Sequence, residues 1–224
     1  MVGAVTSCVV STPAYDVFVV PSDTVYARVR KIALVPAAVT ADVPVPERVL
    51  LELDSLIERK VEAAGFSVVP AFVYSEIWRR ITEEAGGFYD PFTGVLNEER
   101  LQAATERLLQ EIGDLHAPDA WLYPELWVVE AEVERGFARW DGATEPVSWY
   151  LGSPVQALSL VVSLEDTAGT VLYVNGGGIA VLDEWAGWVV PRDADQLFDK
   201  PEKLITAVER SLGPLAYQGE PAGR

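Results

Sequence analysis

The residue types that usually carry metal-centred or nucleophilic chemistry are scarce in this chain. It contains one cysteine, Cys8, and one histidine, His116. A single residue of each type excludes a disulfide framework and a Cys/His metal cluster within the chain. No G-x-S-x-G elbow is present, and Ser153 or Ser163 has no histidine partner other than His116. His116 follows a predicted helix end at Gly113, where the helix dipole favours positive charge. The sequence therefore predicts no catalytic nucleophile, metal or cofactor.

Carboxylates and glycines give weak signals of a different kind. Because the chain has 34 acidic residues, some pair will lie at a glycosidase-like distance without any function. Asp90 in the segment DPFTG lacks the alternating aspartates of a calcium loop. The NGGG segment at residues 175–178 has no following Lys-Ser/Thr and leads into a strand, so we interpret it as a β-bulge or a backbone with positive φ. The enzymatic alternative that stays open is a hydrolase acting through Asp90, Asp141 or another loop carboxylate.

Aromatic residues in or beside turns are the remaining candidates. Two interpretations fit them: they close the ends of a small sheet, or they form a partner or ligand surface. Three of them share the turn-rich segment 86–97, where nothing within the segment itself can bury them. The loop-borne aromatics are Phe88, Tyr89, Phe92, Trp140, Trp149, Trp185 and Trp188. As candidate partner-binding residues we take Phe88, Tyr89, Asp90, Phe92, Trp140, Asp141 and Trp149.

Cys8 ends a short lipobox-like motif. The sequence Val5-Thr6-Ser7-Cys8 has an apolar residue and two small residues before a cysteine that would be lipidated after cleavage. A complete signal also needs a basic region and an apolar stretch of about 7–15 residues, which Met1–Ser7 does not supply. Either the chain starts inside a longer signal peptide, or Cys8 is an ordinary residue near a frayed end. Residues 11–23 carry two prolines and no amphipathic pattern, as in a tether, so residues 1–27 are predicted to be a lipobox-like N-terminus and a flexible tether.

Overall charge excludes several partner classes. The chain has 224 residues, 50% of them hydrophobic, and a net charge of −17. Such an acidic protein repels phosphate backbones and anionic lipid headgroups, so nucleic-acid binding is not expected. No apolar run reaches the roughly 18 residues needed to span a bilayer.

The first half of the sequence predicts helices alternating with buried strands. Residues 31–39 and 66–69 are short apolar runs typical of central strands. Residues 46–64 between them carry apolar positions at helical spacing, with proline at the start and glycine just past the end. The result is a βαβ unit with parallel strands. Two further helices are predicted at residues 73–85 and 97–113, the second capped by Asn97.

Strand patterns dominate the second half. Residues 119–142 alternate between valine or alanine and glutamate, which predicts a half-buried hairpin turning at Arg135-Gly136. Its three tryptophans, Trp121, Trp127 and Trp140, should add a large apolar mass to the hairpin. An irregular segment at 143–154, a strand at 156–165 and its partner at 170–174 should follow. A last helix should start near Asp199, with an Asp199/Glu202 capping box, and end at Gly213-Pro214.

Together these patterns predict an α/β fold. We expect a mixed sheet with an N-terminal parallel βαβ unit, antiparallel hairpins in the C-terminal half and helices covering the sheet. Its interior should be wholly apolar. One domain should span residues 28–215, followed by a disordered tail at 216–224.

The order of several motifs resembles a known group of proteins. These motifs are KIALVP, a helix ending in AAGFSVV, FYDPFTG, PDAWLYPEL, FARWDG and EDTAGTVLY. Across about residues 28 to 213 the chain resembles uncharacterised bacterial envelope lipoproteins, similar in pattern to the N-terminal domain of TolB and to the periplasmic domain of curli-secretion lipoproteins of the CsgG type. The resemblance implies export to the envelope, anchoring through Cys8 and a role in protein assembly or transport. No amphipathic hairpin pair long enough for a curli-type pore is evident, so channel formation is not expected.

The leading hypothesis is therefore a non-enzymatic lipoprotein of the cell envelope that binds a protein partner in an assembly or transport complex. We expect it in the periplasm, anchored through Cys8 to a bacterial membrane. Of the two membranes, the outer membrane is the expected one. The alternative is the carboxylate-dependent hydrolase, acting in the envelope. A third interpretation is a subunit of a larger complex without a separate ligand, and an oligomer is compatible with the sequence.

Overall fold

The structure is a computed structural model that describes residues 16–40, 43–147, 155–185 and 188–216. Cys8, Trp149 and the tail beyond residue 216 lie outside these ranges. The helices are α1 Ser22–Arg28, α2 Glu47–Ala63, α3 Ala71–Ala85, α4 Glu98–His116, α5 Ala194–Leu197 and α6 Pro201–Ala216. The strands are β1 Lys31–Leu34, β2 Ala38–Val39, β3 Ser67–Val69, β4 Ala120–Glu134, β5 Phe137–Trp140, β6 Ala143–Pro146, β7 Val155–Asp166, β8 Val171–Val181, β9 Asp183–Trp185 and β10 Val189–Pro191.

The N-terminal βαβ unit is present as predicted. Strand β1 pairs in parallel with β3, and α2 connects the two strands. On its other side β1 pairs in parallel with β4. The predicted fold class is confirmed: a mixed sheet contains the parallel order β3-β1-β4, antiparallel strands follow it, and helices pack on the sheet.

Strand β4 is the centre of the sheet. It pairs antiparallel with β7 over twelve residues, from Ala120↔Asp166 to Ala131↔Val155, and β7 pairs antiparallel with β8. On its other edge it contacts β1 up to Leu122 and β2 from Glu125. Pro124, which has no N–H to donate, lies at the break between these two partners. The sheet thus accepts a proline in its central strand.

Helices cover both faces of the sheet, but unevenly. Helices α2 and α6 pack on one face, where Leu122, Leu126 and Leu160 are buried in the largest hydrophobic cluster. Helices α3 and α4 cover the opposite face only near the start of β4, around Trp121. Arg80 and Arg107 each pair with Glu84 and Glu111, which links α3 to α4 through a ring of four ion pairs.

At the far end of the sheet the β5–β6 hairpin bends over the end of β8. Gly178 N–H donates to the carbonyl of Asp141 (3.0 Å), and Val181 N–H donates to Glu145 Oε2 (2.9 Å). A third cluster, rich in alanine, forms beneath the hairpin around Trp140. The segment 143–154 was expected to be irregular. Its first four residues instead form β6, because they pair with β5, and residues 148–154 lie outside the described ranges.

The predicted tether at residues 1–27 does not extend to residue 27. Val19 N–H donates to the carbonyl of Leu172, and Val174 N–H donates to that of Val17, so this segment pairs with the free edge of β8. Helix α1 follows, and Val25 is 1% exposed in the main cluster. The free energy gained by burying these apolar residues exceeds the conformational entropy that the segment loses when it becomes ordered. The structured part therefore begins before residue 28.

The glycine run 175–178 was only partly predicted. The register shifts between Leu158↔Ala180 and Ser159↔Gly178, which leaves Ile179, directly after the glycine run, as the extra residue of a bulge in β8. The other suggestion, positive φ, is wrong, since none of Gly176, Gly177 and Gly178 has it. Strand β8 runs through the glycines without interruption, so the separate strand expected at residues 179–182 is the end of β8.

Three predicted helix boundaries also shift. Helix α4 continues past Gly113 to His116. Helix α6 runs through Pro214 to Ala216, because the carbonyl of Arg210, which proline cannot bond, accepts the Asn175 side-chain amide (2.9 Å). Asp199 pairs with Lys203 (2.8 Å), and the capping box occurs at Asp193 and Gln196 of α5 instead.

Candidate functional site

The segment 86–97, which we call the aromatic loop, is anchored in the protein core. Phe88 is 8% exposed, and its ring stacks on that of Trp78 with centroids 5.2 Å apart. Gly86 ends α3 in the left-handed region, and Asn97 caps α4 by accepting from Arg100 N–H (2.9 Å). Phe88 is therefore an anchor of the loop, and its burial against Trp78 does not support its prediction as a partner-binding residue.

Asp90 holds the tip of the aromatic loop in place. Its Oδ1 accepts hydrogen bonds from Phe92 N–H (2.9 Å), Thr93 N–H (2.8 Å) and Thr93 Oγ1 (3.0 Å). These bonds lower the pKa of the carboxyl, with the Thr93 N–H contributing most. Asp90 N–H in turn donates to the carbonyl of Val95 (2.9 Å). The carboxylate is therefore a structural acceptor that stays ionised, and a role as a general acid is disfavoured.

Three apolar side chains of the ordered loop point into solvent. Tyr89 is 64% exposed, Phe92 95% and Val95 64%. Tyr89 pairs with Leu96 across the loop in an isolated antiparallel bridge, so the backbone carrying these side chains is fixed on both sides. The result is a preorganised apolar patch.

The second predicted group lies at the tip of the β5–β6 hairpin. Trp140 is 7% exposed, and its Nε1 donates to the carbonyl of Leu158 (3.2 Å). Asp141 has φ of 36° in the turn, and its Oδ2 accepts from the hydroxyl of Ser159 (2.5 Å). Trp140 thus fills the interior of the hairpin end, and its burial does not support its prediction as a partner-binding residue.

The structure does not bring the two predicted groups together. Phe88 belongs to the cluster between α3, α4 and the sheet, whereas Trp140 belongs to the alanine-rich cluster under the hairpin. Trp149 lies outside the described residues. The expected wholly apolar interior also has two exceptions, since Ser159 and Ser211 are both fully buried.

A cleft of about 890 Å³ lies beside Trp140, between β6, β8 and the start of α6. Four of its charged groups pair with one another: Arg192 with Glu145 (2.5 Å), and Lys203 with Asp199. Arg210 Nη1 donates to the carbonyl of Gly178 (3.2 Å). The cleft therefore has mixed charge, and Arg192 and Arg210 help to hold the hairpin and α6 to the sheet.

A carboxyl with a raised pKa lies away from the cleft. Burial raises the pKa of Asp54 to about 6, although the hydrogen bond from Ala37 N–H opposes the shift. Asp54 lies on α2 and does not line the cleft. Within the described ranges, no group of three or more His, Cys, Asp or Glu residues could hold a metal ion.

One surface was missed by sequence reasoning. Trp127 was expected to add to the buried apolar mass of the hairpin, but it is 44% exposed, and its Nε1 donates to Glu125 Oε2 (2.8 Å). It lies on the sheet face that α3 and α4 leave uncovered. Strict alternation along β4 could have placed Trp127 on the same face as Glu125, which was the available signal.

The part of the chain that the structure describes contains no helix long and apolar enough to cross a membrane.

No protein-family model matches this sequence, and comparison with curated proteins finds no match. Among solved structures the chain is similar to lipoprotein GNA1162 from Neisseria meningitidis, with 17% identity over 75% of this chain and 89% of that one, at a TM-score of 0.36. It is also similar to the PelC dodecamer from Paraburkholderia phytofirmans in two crystal forms. These show 12% and 11% identity, cover 85% and 86% of this chain and 91% of each PelC chain, and have TM-scores of 0.39 and 0.38. Likeness at this level is too low to assign this chain to either group of proteins.

Proposed function

We propose that this protein is a non-enzymatic lipoprotein of the cell envelope that docks a protein partner through the exposed side chains of its aromatic loop. The observation that carries the proposal is Phe92, which is 95% exposed on a loop whose backbone is held by hydrogen bonds on both sides. Among the described residues, nothing shields this apolar ring from water. Contact with a partner would remove it from water.

Energetics favour this loop as a docking element. Burying a phenylalanine side chain is worth about 1.5–3 kcal/mol. A flexible loop would lose part of that gain in ordering its backbone. Here Asp90 and the Tyr89–Leu96 bridge order the loop before binding, so most of the gain is available to the complex.

Anchoring through Cys8 is the second part of the proposal. The Val5-Thr6-Ser7-Cys8 motif supports it, and the resemblance to envelope lipoproteins in motif order points the same way. One acyl chain gives marginal membrane binding, whereas the several chains of a mature lipoprotein hold firmly. We place the protein in the periplasm, with the outer membrane as the expected site.

The absence of enzymatic activity is also part of the proposal. Asp90 and Asp141, the carboxylates considered for hydrolysis, each accept hydrogen bonds that fix their own turns. We therefore assign both a structural role.

The test combines cell fractionation with crosslinking. The full-length gene is expressed with a C-terminal tag, alongside Cys8→Ser and a variant with a photoreactive amino acid at position 92. We expect the unaltered protein in the membrane fraction, Cys8→Ser in the soluble periplasmic fraction, and a discrete crosslinked species from position 92.

The matched control places the photoreactive group at Leu115, which is 68% exposed on α4. It should give no discrete species if the aromatic loop is the docking surface. Recovery of both the unaltered protein and Cys8→Ser from the cytosol would end the envelope proposal. Equal crosslinking from positions 92 and 115 would end the docking proposal.

A further inference from the structure

The uncovered part of the sheet forms a continuous surface that we call the open sheet face. Strand register places its side chains in rows across β4, β7 and β8. One row consists of Tyr123, Ser163 and Val174. The neighbouring row consists of Glu125, Val161 and Gly176. Trp127 is at the end of this surface, because Ser159 and Gly178, the residues in register with it, are buried beneath the β5–β6 hairpin. Paired residues of this kind point to the same side of a sheet.

Tyr123 packs against the cluster under α3 and α4, but the other apolar residues of this face have no partner element in the described structure. Trp127, Val161 and Val174 belong to none of the three hydrophobic clusters. Helices α3 and α4 cover the sheet on one side of this face, and the β5–β6 hairpin covers it on the other. Between these covers, a stretch of β4 from residue 123 to 129 spans roughly 20 Å.

Three carboxylates border the apolar residues of the open sheet face. Glu125 accepts the indole N–H of Trp127. The carboxylate of Asp141 lies over Gly176, close enough that a Cβ there would meet its Cγ at 2.7 Å. Glu165 lies in the row beyond Tyr123, opposite Trp121. By sequence and register, no Lys or Arg occupies a described position of this face.

We infer that the open sheet face docks an extended segment of a partner protein that carries Lys or Arg at alternate positions. In an extended segment, alternate side chains point to one side, which matches the spacing of the rows. A cation placed over the Trp127 ring gains a cation–π interaction. The second oxygen of the Glu125 carboxylate can accept a charge-assisted hydrogen bond from the same group.

Charge decides among the possible occupants. A second copy of this chain carries a net charge of −17 and would be repelled. The N-terminal residues 1–15, MVGAVTSCVVSTPAY, contain no Lys or Arg. A basic segment from another protein complements the acidic face, whereas neither a second copy of this chain nor its own N-terminal residues would do so.

This inference stands apart from the proposed function, since it rests on a different surface and does not need Cys8 or the aromatic loop. The two can fail separately. Crosslinking at position 92 reports on the loop, whereas the titration below uses the purified protein and reports on the sheet face.

The test is fluorescence anisotropy with a labelled octapeptide of alternating lysine and threonine. A second octapeptide of the same composition, with four lysines followed by four threonines, is the probe for general charge attraction. We expect the alternating peptide to bind more tightly than the blocked one. Trp127→Ala and Glu125→Gln should each weaken its binding by about fivefold, as loss of one cation–π or charged contact predicts.

Matched control variants distinguish the contribution of the open sheet face to peptide binding from that of the overall charge. Glu52→Gln removes the same charge from an exposed position of α2, and Trp188→Ala removes a tryptophan that is 68% exposed elsewhere. Both should change the affinity by less than twofold. Thermal denaturation verifies that each variant is folded. Absence of binding, equal affinity for the two peptides, or equal weakening by the control variants would each overturn the inference.

Discussion

Gly177 shows how a single residue sets the position of a helix. It lies in β8 on the face that contacts α6. A Cβ built at Gly177 would lie 2.0 Å from the carbonyl oxygen of Ala207. Gly176 and Gly178 are similarly close to Asp141 and Trp140. The glycine run is therefore required by close packing on both faces of one strand.

We expect Gly177→Ala to be strongly destabilising. The backbone of α6 would have to move, and overpacking of this kind costs about 3 kcal/mol or more. For a protein of this size the melting temperature should fall by roughly 6–12 °C. Thermal denaturation followed by circular dichroism measures the change.

Gly213→Ala is the matched control for this prediction. Gly213 lies in α6, its φ is not positive, and no described atom of another element lies within 4 Å of a Cβ placed there. Alanine should change the stability by less than about 1 kcal/mol, because its lower backbone freedom in the unfolded chain is offset by contact of its Cβ with the ring of Pro214. If both variants lower the melting temperature equally, close packing at Gly177 is not the cause.

At the scale of elements, Asp54 links α2 to the segment between β1 and β2. Its Oδ1 accepts Ala37 N–H at 2.8 Å. Burial raises the pKa of this carboxyl to about 6, and the nearby Glu58 adds to the shift. The folded protein therefore binds more protons than the unfolded chain between the unfolded value of 3.8 and about 6. The stability that this group contributes is fully present below the unfolded pKa and is lost as the pH rises through about 6.

Asp54→Asn should therefore raise stability at pH 7.5, because the amide oxygen can still accept Ala37 N–H without a buried charge. A shift of this size, reduced for partial exposure, corresponds to about 1–2 kcal/mol. The gain should shrink below pH 5, where the aspartate is protonated in the folded protein. Urea denaturation of both proteins at the two pH values measures it.

Glu52→Gln controls for the change in net charge. Glu52 is exposed on the same helix, so its loss relieves general repulsion without relieving a buried charge. Its effect should be well below that of Asp54→Asn. An Asp54→Asn protein that is less stable than the unaltered protein at pH 7.5 would contradict the raised pKa.

Periodicity and caps account for what the sequence could predict at this scale. Val49, Leu53, Ile57 and Val61 recur at helical spacing and are the buried residues of α2. Asn97 caps α4 as expected. Alternation along β4 and β7 predicted strands. It could not reveal how much of the sheet is covered by α3, α4 and the β5–β6 hairpin. For that reason Trp127 was expected to be buried, and the two interpretations of Phe88 and Trp140, closing the ends of the sheet or binding a partner, both stayed open. Burial of an aromatic residue depends on which distant element packs on it, and local sequence does not contain that information.

The end of α6 illustrates the same limit. Gly213-Pro214 is a reasonable helix stop by local rules. The helix continues because Asn175, a residue on another strand, satisfies the carbonyl of Arg210. Contacts between elements that are distant in sequence therefore override the local signal.

For the whole molecule, the balance between ion pairs and net charge decides how salt affects stability. Most ion pairs are on the surface, as in Arg79–Glu83, where the side chains are 69% and 65% exposed. Pairs of this kind contribute about 0–1 kcal/mol each. Arg192–Glu145 is the more buried case, with 17% and 22% exposed. Repulsion among the excess acidic residues, which give the chain a net charge of −17, opposes this stabilisation.

We expect repulsion to outweigh the surface pairs. Raising NaCl from about 0.02 to 0.3 M shortens the Debye length from roughly 20 to 6 Å, which screens the long-range repulsion more completely than the contacting pairs. The melting temperature at pH 7.5 should therefore rise by a few degrees, and KCl should act like NaCl. At pH 4.4, the isoelectric point given by the sequence, net repulsion vanishes and the same salt should no longer stabilise the fold. A melting temperature that falls with salt at pH 7.5 would show that the α3–α4 ring and the Arg192–Glu145 pair dominate the electrostatics, despite the acidic surface.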